Sequence, residues 1–423
     1  MAGDTANPTV NEVMMDASGL PLKLALARAE SSKRKKAFML ALPLLVFILV
    51  SFIFPIINML FRSVDNPAIH DNLPNLSREI QNWDGQSLPG EDLFTILADD
   101  LRAAAILKNH GKVATRLNYE ISGSRSMITK TARKIKKKTE GPYKDWFIET
   151  NKRWGELRTW VALKHASQEY TISFYLNSLD FKYDDAGEIA AQPDELQIYK
   201  KLFWRTLYIS VFITVLCILL AYPISFLMAT LPLRTSNLLM ILVLLPFWTS
   251  LLVRTTSWIV LLQTKGTLND LMVYFGFIED ESRIQMIYNM TGTVVAMTHI
   301  LLPFMVLPLF SVMKTIPPSY MRAARSMGAN PAYAWWKVYM PLTLPGIAAG
   351  SILVFILSVG YYITPALVGG RTGTLISNFI NIHMRTTLNW GLAAALGSVL
   401  LAAVLLIYWA YNKIIGIDNM KMG

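Results

Sequence analysis

The chain has 423 residues, of which 53% are hydrophobic and 16% are charged, and its formal net charge is +11. Its mean hydropathy of +0.37 is too high for a soluble protein of this length, so the composition excludes an ordinary soluble enzyme or binding domain. The one cysteine, Cys217, excludes an intramolecular disulfide bond.

Apolar segments recur along the chain at lengths of about 20 residues or more, enough to cross a bilayer. They are residues 37–61, 203–231, 238–262, 292–313, 344–368 and 388–411. Only helices and closed barrels satisfy the backbone in lipid, and runs this long indicate helices. The sequence therefore predicts an all-α integral membrane protein with six transmembrane helices.

Basic residues in the short loops predict the orientation. Lys33, Arg34, Lys35 and Lys36 end a leader, residues 1–36, just before the first span. By the positive-inside rule, this leader and the N-terminus are cytoplasmic. Alternate loops then fall on the same side, as does a C-terminal tail, residues 412–423. The basic residues of these loops and of the tail agree with that assignment: Arg234, Lys314, Arg322, Arg325, Lys337, Lys413 and Lys421.

The connection between the first two spans, residues 62–202, is far longer than an ordinary loop. Counting spans puts it outside the cytoplasm, and its helical patterns predict a small, mostly helical extracytoplasmic domain. Residues 130–138 contain six basic residues and no acidic one. Such a tract either attracts an anionic partner or forms a solvated face or hinge, and the second interpretation is the more common one.

A loop between the fourth and fifth spans, residues 319–341, has strong local signals for two short helices. Ser319 follows two prolines and is a candidate N-cap. Gly328 is a candidate left-handed residue that ends the first helix. Asn330 and Pro331 have the residue types of an N-cap and a first helical position. Pro341 is expected to end the second helix, which would complete a compact helix–turn–helix.

The spacing in this loop resembles the EAA loop of permease subunits in ATP-binding-cassette (ABC) importers, where Glu-Ala-Ala and a Gly precede Ile-x-Leu-Pro. The corresponding positions here, with one aromatic residue of the second helix, are Arg322, Ala323, Ala324, Gly328, Trp336, Val338 and Pro341. Arg322 replaces the usual Glu, so a capping box with Ser319 cannot form. The resemblance implies that the loop docks on a separate ATPase; the alternative is an ordinary cytoplasmic loop.

Further motifs resemble the spermidine/putrescine-type permeases, which have the MetI-like fold. They are residues 245–262, 266–269, 206–223, 365–370 and 389–394, within a permease core of residues 203–411. The resemblance implies five core helices preceded by one more, in the inner membrane of a bacterial cell. It also implies a solute pathway between two permease subunits, usually two different chains.

The same resemblance implies the partners. An extracytoplasmic solute-binding protein would deliver the solute, and two copies of an ABC ATPase would bind ATP and Mg²⁺. This chain has no phosphate-binding loop and no metal-ligand cluster in its sequence, so we expect no cofactor on it and no enzymatic activity. The sequence contains no nucleic-acid-binding motif. We expect the lipid bilayer to surround the predicted spans.

Five residues are candidates for the solute pathway: Arg254, Trp258, His299, Tyr361 and Tyr362. A charge within a membrane span is a functional hypothesis by default, so Arg254 could bind a carboxylate or pair across the permease dimer. Counted along a straight helix it lies about 24 Å deep, near the far edge of the bilayer core, which favours a snorkelling, structural role. His299 is either a pathway group or, more commonly, a hydrogen-bonding partner of a neighbouring helix.

The chemistry of the spans leaves the solute open. None of the six apolar segments contains Asp or Glu, and residues 359–365 lack the carboxylate that many polyamine permeases have there. A polyamine or related small amine remains the expectation from the family, with opine- or amino-acid-derived solutes as the alternative. From other classes, a secondary transporter and a membrane-anchored structural or sensor protein stay open.

Overall fold

The structure, a computed structural model, describes residues 22–415, with side chains for residue 31 and residues 33–413. Residues 1–21 of the predicted leader and residues 416–423 of the predicted tail lie outside the described residues. The chain separates into two units, the first ending at Phe61 and the second beginning at Arg62.

The first unit is built from one long helical stretch. Helix α1 (Leu22–Ile48) continues through a π-helical turn, Leu49–Ile53, into α2 (Phe54–Arg62). The part Lys33–Arg62 is apolar enough to cross a membrane, and it contains the predicted span 37–61. Its apolar side chains are largely exposed, as expected of residues that face lipid or another membrane helix.

The helical domain, which precedes Tyr199, has a core of its own formed by residues between Ile69 and Ala166. Its helices are α3 (Pro67–His70), α4 (Pro74–Glu79), α5 (Glu91–Ile106), α6 (His110–Glu120), α7 (Ser124–Ile135), α8 (Lys144–Thr150), α9 (Leu157–Ala166) and α10 (Ser173–Ser178). A small antiparallel hairpin follows, with β1 (Phe181–Tyr183) paired to β2 (Ile189–Ala191). Phe94, Phe147, Trp154 and Trp160 pack together at the centre of the core, fully buried.

The remaining helices form the membrane core. They are α11 (Tyr199–Thr230), α12 (Leu233–Leu244), α13 (Leu251–Leu262), α14 (Thr267–Tyr274), α15 (Met290–Thr315), α16 (Pro318–Ser326), α17 (Pro331–Ala334), α18 (Met340–Gly360), α19 (Ile363–Val368), α20 (Gly370–Gly373), α21 (Ile376–Arg385) and α22 (Trp390–Ile415). Helix α15 packs extensively against both α11 and α18. Gly346 and Gly350 of α18 allow the close approach, since a Cβ on Gly346 would lie 3.0 Å from the Leu309 Cα atom.

Within the described residues, five helices are long and apolar enough to cross a membrane, and a bent pair makes a sixth if it counts as one span. The protein is therefore an all-α membrane protein with the predicted number of apolar segments. Two predicted spans are, however, not the continuous helices that the sequence indicated.

The third span, predicted as one helix over residues 238–262, is broken. Helix α12 passes through a tight turn, Leu245–Trp248, and ends, and the segment that begins at Leu251 is bent by 99° from it. Pro246 lies in the turn and Thr249 is extended. Ser250 then caps the new helix, since its side chain accepts a hydrogen bond from the Val253 amide. The depth of Arg254 counted along a straight helix was therefore wrong.

The fifth span, predicted over residues 344–368, also differs. Its helix ends at Gly360, Tyr361 is extended, and a separate short helix, α19, begins at Ile363. The Asn378 amide donates a 2.7 Å hydrogen bond to the Tyr362 carbonyl and so satisfies one backbone group at this break. At its other end the span begins earlier than predicted, because helical backbone continues without interruption from Pro331 to Gly360.

Candidate coupling loop and membrane pathway

The loop between α15 and α18 has the first helix that the sequence predicts, with a different start. Pro317 is the N-cap and Pro318 is the first residue of α16, so the prediction of Ser319 as N-cap was wrong. Proline suits this position because its missing N–H has no partner in a first helical turn. Gly328 then adopts a left-handed conformation, φ +90°, and the Ala329 amide donates to the Ala324 carbonyl. This closes the helix C-terminus as predicted.

The second helix of the loop begins as predicted but does not end where expected. The Asn330 side chain accepts a 2.7 Å hydrogen bond from the Tyr333 amide, with Pro331 at the first helical position. A π-helical turn, Trp335–Tyr339, then leads directly into α18. The prediction that Pro341 ends the helix was wrong. In the π turn the Met340 amide donates to the Trp335 carbonyl, five residues earlier rather than four. The next residue, Pro341, has no N–H to donate, and the π turn comes just before it.

The loop is anchored on the membrane core by aromatic contacts. Trp335 packs edge-on against Tyr222 of α11, with ring centroids 5.5 Å apart. Tyr339 meets Phe226 of the same helix at 5.4 Å. These anchors were missed by sequence reasoning, which singled out Trp336. A helix-period pattern of aromatics was visible, but which of two adjacent tryptophans faces inward depends on the π turn, which the pattern does not show.

The opposite side of the loop is exposed and rich in apolar side chains. Trp336 is 57% exposed, and Tyr320, Met327 and Tyr333 are also exposed. Of the motif residues, Ala324 is buried while Arg322, Ala323, Gly328 and Pro341 are exposed and Val338 is partly buried. An exposed set of large apolar side chains on a short helical loop is typical of a surface that a partner covers.

Four of the five candidate pathway residues lie together in the membrane core. The Trp258 indole Nε1 donates a 3.1 Å hydrogen bond to His299 Nδ1, which joins α13 to α15. His299 thus makes the contact to a neighbouring helix that is the more common role of such a residue, and its place in the pathway stays a prediction. Arg254, one turn before Trp258, interacts electrostatically with both His299 and Tyr361. Its Nε atom is buried and has no hydrogen-bond partner among the described residues.

Tyr362, the fifth candidate, makes its described hydrogen bond through its backbone carbonyl. The structure instead adds two residues that the sequence did not indicate. The hydroxyls of Thr255 and Thr364 lie 3.3 Å apart and link α13 to α19, at the break after α18. These residues form the Arg254 cluster, which combines one guanidinium, one imidazole, hydroxyls and aromatic rings. Its members are Arg254, Thr255, Trp258, His299, Tyr361 and Thr364. Such a set can bind a carboxylate through Arg254 and an ammonium group against the ring faces.

Comparisons with known proteins identify the class. Residues 220–415 match the family described as "Binding-protein-dependent transport system inner membrane component". The spermidine/putrescine transport system permease protein PotB of Haemophilus influenzae is 34% identical over 56% of this chain and 86% of its own length. PotB of Escherichia coli K12 is 31% identical over 52% of this chain and 80% of its own length.

Among solved structures, a bacterial ABC transporter involved in the import of the acidic polysaccharide alginate matches 55% of this chain and 82% of its own. Its TM-score is 0.42 and its sequence identity is 16%.

The fold and the loop define a membrane subunit of a transport system. The chain belongs to the family of binding-protein-dependent transport system inner membrane components, and it is the permease subunit of an ABC importer. It is thus a non-catalytic, multi-pass protein of the inner membrane. As a permease of this kind, it works with an ATPase and a binding protein.

Proposed function

We propose that this permease imports a polyamine such as putrescine or spermidine, and that the loop 319–341 couples it to the ATPase. The observation that carries the coupling role is the exposed apolar side of that loop, held on α11 by Trp335 and Tyr339. The names of the two PotB relatives support the polyamine as solute.

The mechanism is alternating access. ATP and Mg²⁺ bind to two copies of the ATPase, whose closure moves the docked loops of two permease subunits. Because the second helix of the loop continues without interruption from Pro331 into α18, a displacement of that helix reaches the break at Tyr361, next to Arg254. The second permease is a different chain, and both termini of this one are cytoplasmic, as the basic loops favour.

A second solute class is favoured by one observation. Arg254 places a positive charge in the candidate pathway, and its Nε lacks a hydrogen-bond partner within residues 22–415. The six apolar segments contain no carboxylate. A guanidinium there suits a carboxylate-bearing solute, such as an opine or another amino-acid derivative, better than a polycation.

The coupling role is tested by uptake into vesicles that contain the complete importer, with ATP inside. Gly328→Asp forces a side chain into a left-handed backbone, although a Cβ there meets no atom within 4 Å. The matched control is Gly276→Asp, which has φ +72°, equally open surroundings and a position after α14. We expect Gly328→Asp to lower ATP-dependent uptake more than about tenfold, from roughly 1–3 kcal/mol of local strain at the coupling surface.

The control variant should keep uptake near the wild-type rate, and both proteins should remain folded and membrane-inserted. Equal losses in the two variants would show a general effect of glycine replacement and would contradict the coupling role. Uptake that continues without the ATPase would favour a secondary transporter.

The solute class is tested in the same vesicles with labelled putrescine, spermidine and an opine, each supplied with the binding protein. Accumulation of a polyamine, unchanged or faster in Arg254→Gln, supports the first proposal. Accumulation of the opine, with a raised KM in Arg254→Gln that Arg254→Lys partly restores, supports the second.

A further inference from the structure

A cavity of about 640 Å³ lies between the helical domain and the start of the last membrane helix. Its walls come from α3 and the residues on either side of it, from α6, from Arg125 of α7, from Phe174 and from residues 388–391. It shares no lining residue with the coupling loop or with the Arg254 cluster. Its volume lies in the range of ordinary ligand pockets, about 300–1,000 Å³.

The charges around this cavity favour an anion. Four cationic side chains line it, Arg62, Lys112, Arg116 and Arg125. Two acidic side chains, Asp65 and Asp71, also line it, and Glu120 is ion-paired with Arg116, which leaves an excess of one positive charge. Because a concave surface with low-dielectric walls concentrates the field, this excess attracts anions more strongly than the same charges on a flat surface.

Arg116 is the most constrained of these cations, with only 3% of its surface exposed. Its Nε donates a 2.6 Å hydrogen bond to Asn66 Oδ1, and its Nη1 donates a 2.7 Å hydrogen bond to Glu120 Oε1. The guanidinium carbon lies 4.9 Å from the centroid of the Phe174 ring. The remaining nitrogen, Nη2, is buried and has no hydrogen-bond partner in the part of the chain that the structure describes.

An unsatisfied buried donor is destabilising unless an acceptor reaches it, so a cavity-lining arginine in this state indicates a ligand with oxygen acceptors. Because Nε and Nη1 are already bonded to Asn66 and Glu120, Nη2 is the nitrogen of Arg116 left to donate a charge-assisted hydrogen bond to a phosphate oxygen. Lys112 and Arg125 are exposed and can approach the remaining oxygens as point charges.

The position of the cavity indicates where the phosphate comes from. Trp390 lines it and is the first residue of the span Trp390–Lys413. The Arg62 guanidinium lies 6.0 Å from the Trp390 ring centroid. Tryptophan at the end of a span lies at the level of the lipid headgroups, and basic pockets there bind anionic headgroups. Leu388, also in the wall, is exposed and adopts φ +54°, which is strained for a bulky residue.

We propose that this cavity binds a phosphate group, and that the headgroup of an anionic phospholipid supplies it. Arg116 offers its buried Nη2, Lys112 and Arg125 are the exposed cations, and Leu388 and Trp390 offer apolar surface to the glycerol and acyl part. The site ties the helical domain to the bilayer surface next to the last span.

The test uses the complete importer in phosphatidylcholine nanodiscs that contain increasing phosphatidylglycerol, followed by native mass spectrometry of the lipids that remain bound. We expect retained phosphatidylglycerol on the wild type. The double variant Lys112→Gln, Arg125→Gln should bind it about 25-fold more weakly, at about fivefold for each removed cation. The matched control, Lys130→Gln with Lys134→Gln, removes the same charge from α7 outside the cavity and should retain the lipid.

Arg116→Lys keeps the charge and removes the Nη2 donor, and we expect weaker retention from it as well. A titration with inorganic phosphate at constant ionic strength, in pure phosphatidylcholine discs, separates the two sources of phosphate. Thermal stabilisation by inorganic phosphate without any preference for phosphatidylglycerol would keep the phosphate site and overturn the lipid as its source. Equal retention in the cavity variants and the wild type, or an equal loss in the control pair, overturns the proposal.

Discussion

The helical domain and the membrane core are packed by different means within one chain. At the centre of the domain, large aromatic rings pack against one another. The ring centroids of Phe94 and Trp160 lie 4.6 Å apart, and those of Trp154 and Phe147 lie 5.1 Å apart. In the membrane core, close contacts instead involve small residues, such as Gly346 and Gly350 against α15. Water drives large apolar side chains together, whereas lipid is as apolar as they are and leaves close packing and hydrogen bonds as the attraction.

The largest expected effect is the loss of one ring from the domain core. Trp160→Ala removes a fully buried side chain and should destabilise the domain by about 3–5 kcal/mol, because the surrounding rings cannot collapse into the space. Hydrogen exchange of the full chain in detergent should show lost protection in α5 and α9, with α15 unchanged.

The control for that change is Trp248→Ala in the membrane core, where the ring is 73% exposed. Its effect should stay within about 0.5 kcal/mol. If α15 lost protection along with α5, the two cores would be one cooperative unit and the comparison between them would fail.

The second effect concerns close helix approach. Gly346→Ala places a Cβ 3.0 Å from the Leu309 Cα atom, so the two helices must move apart, at a cost of about 1–3 kcal/mol. A lower midpoint of thermal unfolding in detergent would show this. Gly360→Ala on the same helix meets no atom within 4 Å and should leave the midpoint unchanged. An unchanged midpoint for Gly346→Ala would mean that α15 and α18 lie further apart than the 3.0 Å distance indicates.

The hydrogen bonds of the two regions can be compared with one kind of substitution. Thr131 accepts a 3.0 Å bond from Trp154 Nε1 in the domain, and Thr255 lies 3.3 Å from Thr364 in the membrane core. Thr131→Val leaves a buried indole N–H unpaired, at about 1–3 kcal/mol. Thr255→Val should cost about 0.6 kcal/mol, as is typical of polar contacts between membrane helices.

The threonine variants are matched controls for each other, since both residues also bond to the carbonyl four residues earlier. Thermal midpoints of the full chain give both values. A larger loss from Thr255→Val than from Thr131→Val would contradict the difference argued for the two regions.

Hydropathy alone predicted the number of apolar segments, because the thickness of the bilayer sets the length of apolar helix that is needed to cross it. It did not predict the breaks. Pro303 and Pro308 lie inside the continuous helix α15, whereas Pro246 lies at a 99° bend. Proline permits both outcomes, and the neighbouring helices and the Ser250 cap decide between them.

In the candidate sites, too, local backbone features were predictable from the sequence and contacts between distant residues were not. The left-handed Gly328 and the Asn330 cap were predictable, because both depend on local backbone chemistry. The hydrogen bond of His299 was expected, but its partner Trp258 was not, because the pairing joins residues 41 positions apart. The Thr255–Thr364 contact had no signal in the sequence, since threonine is common in membrane helices and gives no partner by itself.

The smallest expected effect is the pH dependence of stability, to which each of the two regions contributes one histidine. Burial lowers the pKa of the His165 ring, which stacks on Tyr183 with centroids 4.1 Å apart, and Glu120 partly opposes the shift. Burial also lowers the pKa of His383, at the end of α21. Near pH 6.5 and below, the unfolded chain then binds more protons than the folded one. The stability contribution is full above that pH and is lost as the pH falls through the lowered pKa.

We therefore expect the midpoint of thermal unfolding to fall between about pH 7.5 and about pH 5.5, and His165→Gln to make this dependence shallower. The slope in that variant should become shallower again when His383→Gln is added, since both rings act with the same sign. A midpoint that rises on acidification would mean that the folded protein holds these rings in the protonated form. In that case Glu120, rather than burial, would dominate the pKa of His165.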